Sequence, residues 1–63
     1  MDFGQRLKSL RAERNLTQQN LGDAVGVSTV TIRAWERNAK KPAMDALLSL
    51  GRALNISIDT LLD

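Results

Sequence analysis

The stretch QQNLGDAVGVSTVTIRAWER, Gln18 to Arg37, decides the fold. It holds two short helical segments, about Gln18 to Val25 and about Ser28 to Arg37, with only Gly26 and Val27 between them. Thr17 and Ser28 stand where N-caps belong, since a hydroxyl oxygen can accept from an open N–H in the first turn. Gly26 suits a turn that needs positive φ. Helices joined this tightly must cross sharply and approach closely, and Gly22 supplies the small residue at the crossing. Leu21, Val25, Val27, Ile32 and Trp35 are spaced to bury against one another. A lone glycine between two helices would be a weak signal. All of these demands met together within one short stretch indicate a helix-turn-helix.

Similar punctuation divides the flanks. Asp2 and Gln5 make a D-x-x-Q start resembling a capping box. Phe3, Leu7, Leu10 and Arg14 follow at i, i+4, i+7 and i+11, which predicts a helix to about Arg14. Asn15 suits the left-handed residue that ends it. Asn38 to Pro42 reads as a polar, basic loop, because Pro42 bars helix through that point. A fourth helix, about Ala43 to Leu54, carries Met44, Leu47, Leu48, Leu50 and Leu54, with Asp45 in its first turn. Asn55 ends it. Ser57 caps a last helical turn that is expected to place Leu61 and Leu62 inward. Asn55 to Ile58 alternates, but over too short a span for a strand. The prediction is an all-α fold of five short helices.

Sixty-three residues allow one core, so residues 1–63 are expected to form one domain with its helix-turn-helix at about 18–37. The chain has neither cysteine nor histidine. Disulfides and soft-metal sites are therefore excluded, and no cofactor is expected. A 43% hydrophobic content must stabilise the fold through Leu, Ile, Val, Met and Ala, with one Phe and one Trp. An enzyme is hard to build from this inventory. No glycine-rich phosphate loop is present, and Asp23 and Glu36 are the only mid-chain carboxylates. Asp2, Asp45 and Asp59 read as helix-start residues. No apolar run nears the roughly 18–20 residues of a membrane span, and the N-terminus lacks a signal-peptide core. A soluble, intracellular protein is expected. The net charge is only +2, but its distribution is uneven. Residues 28–42 carry Arg33, Arg37, Lys40 and Lys41 against Glu36 alone, whereas residues 43–63 carry Arg52 against Asp45, Asp59 and Asp63. A local basic excess of this kind attracts polyanions.

The outer face of the third helix narrows the polyanion to DNA. At about 100° per residue, with Ile32 and Trp35 fixing the inward direction, Val30, Arg33, Ala34 and Arg37 point away from the core. Thr29 lies on the flank near the helix start. A solvated face would show Glu, Lys and Gln instead. Single surface valines are common, yet an exposed β-branched residue has no local advantage in a helix. Opposite thymine methyl groups it does, and the major groove admits one helix. Trp35 reads as core rather than as a stacking platform.

Gln18 to Arg37 resembles the helix-turn-helix of the Cro/CI-type family, which includes the lambdoid phage repressors. The likeness runs through R-L-K-S-L-R at Arg6–Arg11, L-T-Q at Leu16–Gln18, V-S-x-V-x-I-x-x-W-E-R at Val27–Arg37 and A-L-N-I-S-I-D-T-L-L at Ala53–Leu62. It implies a compact five-helix, lambda-repressor-like domain whose third helix enters the major groove. By that resemblance Ser28, Thr29, Val30, Arg33 and Ala34 face base edges. Gln18, Arg11, Arg37, Lys40 and Lys41 meet phosphates, and Arg11 pairs with Glu36. Several relatives carry Gln or Asn where this chain has Thr29, Val30 and Ala34, so direct readout is expected to lean on Arg33. The implied function is sequence-specific repression at a palindromic operator of double-stranded DNA, bound as a homodimer. The isolated chain is expected to be a monomer or a weak dimer joined through its last helix and the loop before it. The length suits a minimal Cro-like protein or a fragment of a larger repressor. Two other readings share parts of this pattern. An antitoxin or restriction-system controller adds a protein partner to the same fold. A protein-interaction module that has lost DNA binding would tolerate acids on the outer face of the third helix.

Overall fold

Every helix leaves backbone groups open at its ends, and in this chain side chains cap the N-termini of all the described helices but α4. The computed structural model describes residues 2–62. It contains α1 (Phe3–Glu13), α2 (Gln18–Val25), α3 (Thr29–Glu36), α4 (Met44–Leu54) and α5 (Ile58–Leu62). The Asp2 carboxylate accepts the Gln5 N–H at 2.9 Å. A reciprocal capping box forms at α2, where Thr17 Oγ1 accepts from the Asn20 N–H and Asn20 Oδ1 accepts from the Thr17 N–H. Ser28 Oγ accepts from Thr31 N–H at the head of α3, and Ser57 Oγ does the same for Thr60. Ala43 is the N-cap of α4 rather than its first helical residue, and makes no side-chain capping bond.

Left-handed residues end four of the helices, three of them asparagines. Asn15, Asn38 and Asn55 have φ of 56°, 62° and 57°, a conformation that asparagine tolerates better than most residues. Gly26 sits at φ 87°. Its N–H and that of Val27 both reach the Gly22 carbonyl, which turns the chain from α2 into α3. Gly22 is required for a different reason: a Cβ there would lie 2.7 Å from the Val27 carbonyl oxygen. The two helices therefore cross as closely as the sequence predicts.

α3 packs against α2 and α1, α4 against α2, and α5 against α1 and α4. Leu7, Leu10, Leu21, Ile32, Trp35, Leu50, Leu54 and Leu61 form the core, drawn from all five helices. Burying each such side chain contributes about 1.5–3 kcal/mol before chain entropy is set against it. Leu62 corrects the sequence-based expectation. It is 53% exposed, because neighbouring residues of a helix point about 100° apart and Leu61 already faces the core. Leu62 instead lines a shallow apolar groove with Phe3, Pro42 and Leu47. No helix among the described residues is long and apolar enough to cross a membrane.

Candidate nucleic-acid interface

α3 presents two chemically different faces. Ile32 and Trp35 are buried beneath it, which orients the rest of the helix. Val30 is 68% exposed. Arg33 and Arg37 are exposed on the same side, while Thr29 and Ala34 lie half-buried at its flanks. Ser28 is exposed, but its hydroxyl already serves the Thr31 N–H and lies 3.2 Å from Thr31 Oγ1. Lys40 and Lys41 are exposed in the loop that follows. The ion pairs among the described residues use Arg11 and Arg14, so these four cations are left to solvent or to a polyanion.

The inner end of α3 is held by a polar cluster. Arg11, in the last turn of α1, places Nε 2.6 Å from Glu36 Oε2 and Nη2 3.3 Å from Oε1. Its Nη1 donates to the Leu16 carbonyl at 2.7 Å, which closes the turn between α1 and α2. The side chains of Arg11 and Glu36 are 14% and 4% exposed. Gln18 does not stand free at the head of α2: its Nε2 donates to Glu36 Oε1 at 3.0 Å. The structure thus brings Arg11, Gln18 and Glu36 together, and sets them apart from the Val30–Arg33–Arg37 face.

Two anchors escaped sequence reasoning. Arg14 donates from Nε to the Leu54 carbonyl at 2.6 Å and from Nη1 to the Leu10 carbonyl at 3.0 Å. It clamps the ends of α1 and α4, satisfying carbonyls that a helix terminus leaves open. Asn38 accepts the Gly4 N–H at 3.0 Å, and a Cβ on Gly4 would collide with the Glu36 carbonyl oxygen. The start of α1 is therefore pinned to the end of α3, beside the basic loop. The available signal was a glycine inside an otherwise helical pattern, which usually marks a close approach. Asp2 belongs to the same corner. Its carboxyl is held below the ordinary carboxylate range by the Gln5 backbone N–H and then by the Asn38 side chain. No cluster of His, Cys, Asp or Glu among the described residues could hold a metal ion.

Five helices in this order, with a glycine-hinged pair whose second member turns a cationic and apolar face outward, define a helix-turn-helix protein. The helix-turn-helix family model matches residues 7–61, and the chain belongs to that family, in its Cro/CI-type branch. It is 42% identical over 60 residues to repressor protein C2 of Salmonella phage P22, covering 95% of this chain and 28% of that protein. Its fold matches the crystal structure of the P22 repressor in complex with a synthetic operator at a TM-score of 0.94 and 40% identity, covering 100% of this chain and 96% of that one. The restriction-modification controller C.AhdI of Aeromonas hydrophila matches at a TM-score of 0.93 and 31% identity, over 97% of this chain and 92% of that one. The transcriptional activator BcrR of Enterococcus faecalis is 36% identical over 62 residues, covering 98% of this chain and 30% of that protein. The chain thus spans less than a third of the length of BcrR and of the P22 repressor.

Proposed function

We propose that this chain binds double-stranded DNA sequence-specifically as a transcriptional repressor, with α3 in the major groove. The observation that carries the reading is the outward face of α3, where an exposed Val30 stands beside Arg33 and Arg37, cations outside the ion pairs of the described residues. The P22 repressor, so similar in fold, was crystallised on an operator. In this reading Val30 packs on thymine methyl groups and Arg33 donates to guanine. Ser28, Thr29 and Ala34 complete the surface against base edges. Arg37, Lys40 and Lys41 flank it on the phosphates. Gln18, with the open N–H groups at the head of α2, takes another phosphate. Arg11 has N–H groups beyond those given to Glu36 and Leu16, and these serve a nearby phosphate.

Two copies would occupy the halves of a palindromic operator, about one DNA turn apart, and exclude polymerase from the promoter. Exposed Leu62 and Met44 supply apolar surface for the contact between copies. Such a protein works in the bacterial cytoplasm. The likeness to C.AhdI favours a second reading, a controller of a restriction system with the same DNA face.

A salt titration tests the proposal. Duplexes selected from a random pool should be bound with an affinity that falls steeply as salt rises, about 0.9 logarithmic units per tenfold salt for each phosphate neutralised. Lys40→Ala should shallow that slope by roughly one phosphate. A flat salt response, or no enrichment of any sequence, contradicts the reading.

A further inference from the structure

The Arg11–Glu36 pair accounts for two of the bonds on the Glu36 carboxylate; the third comes from Gln18. That third bond has a directional consequence. A primary amide has a donor end and an acceptor end. Turning the amide over would set the Gln18 carbonyl oxygen against the buried carboxylate, two acceptors facing each other. Glu36 therefore selects one amide orientation and fixes the direction of the remaining Nε2 N–H. The carboxylate is itself held by Arg11 at 2.6 Å and is almost fully enclosed, so it is a rigid reference point. It is also the last residue of α3, whereas Gln18 is the first of α2.

We infer that Glu36 is a positioning residue for DNA binding. It never reaches the duplex, yet it orients the Gln18 amide toward a phosphate and holds that contact in register with the base-reading face of α3. The inference rests on the DNA-binding reading above. Loss of Glu36 costs affinity through Gln18, in addition to any loss of stability.

A double-mutant cycle on one selected duplex tests this, at a temperature where circular dichroism shows each variant folded. Gln18→Ala weakens binding about tenfold, the size of one hydrogen bond to a charged group. Glu36→Gln weakens binding severalfold when Gln18 is present and clearly less on Gln18→Ala, where only the part carried through Arg11 is left. Equal weakening in both backgrounds, or tighter binding by Glu36→Gln because the amide is released, overturns the inference. Should Glu36→Gln fail to fold, the wild-type protein supplies the readout. The two Nε2 protons of Gln18 keep NMR shifts displaced from those of a free glutamine, unbound and on DNA, if Glu36 holds the amide throughout. Their collapse to the shifts of a free glutamine on DNA binding overturns the inference. Failure of wild type to bind any duplex removes the functional reading and this inference with it. An additive cycle in a protein that does bind DNA, and loses affinity with Arg33→Ala, removes only the role of Glu36.

Discussion

Both faces of α3 carry apolar and charged residues, but the fold treats them oppositely. On the inner side the polar groups are committed: Glu36 receives Arg11 and Gln18, and the apolar residues Ile32 and Trp35 are buried. On the outer side Val30 is 68% exposed, and Arg33 and Arg37 lie outside the ion pairs of the described residues. A buried polar group without a partner is costly, so inward polar residues must come in complementary sets. An outward set left incomplete costs little in water and is available to an external partner. The contrast separates residues that hold the helix from residues that use it.

The contrast breaks most readily at Glu36. Glu36→Ala leaves the Arg11 guanidinium without its partner and should lower unfolding free energy by about 3–5 kcal/mol in urea titrations. Arg33→Ala, three residues earlier on the outer side, should stay within about 0.5 kcal/mol of wild type. Equal destabilisation by the two would erase the distinction. An intermediate effect belongs to Gly22→Ala, whose new Cβ meets the Val27 carbonyl at the head of α3. Overpacking of that kind should cost about 1–3 kcal/mol, read as a lower melting temperature.

The smallest effect concerns pH. The Asp2 carboxyl titrates below its ordinary range because it caps α1 and meets Asn38. The unfolded chain therefore binds this proton more readily than the folded one, and stability rises with pH in that window. The contribution is complete above the ordinary carboxylate range and is lost as pH falls through the depressed value. Asp2→Asn, which keeps a capping oxygen, should flatten that acid limb in thermal melts while leaving stability at neutral pH close to wild type. An unchanged acid limb would show that Asp2 is not the titrating cap.

Most of the helix plan was legible because its signals are local. Thr17, Ser28, Ser57, Gly26 and the left-handed asparagines act within a few residues of themselves. The Leu, Ile and Trp core follows from helical periodicity. Leu62 was misjudged since both leucines of a short terminal turn satisfy an apolar pattern, and only packing against α1 and α4 decides between them. Arg14 read as part of an apolar stripe; its reach to the Leu54 carbonyl spans forty residues of sequence. The Gly4–Asn38 pin and the Gln18–Glu36 bond are likewise long-range, and no periodicity encodes them. For the candidate site, the outer face of α3 could be read by rotation about the helix axis once Ile32 and Trp35 were set inward. The commitment of Gln18 to Glu36 required coordinates.

The central claim is that the outer side of α3 meets a duplex, and amide chemical-shift mapping during titration with a selected duplex tests it most directly. The account predicts the largest changes at Ser28–Arg37, Lys40, Lys41 and the head of α2, with little at the buried positions of α4. Changes concentrated on α4 and α5, with α3 silent, would contradict it.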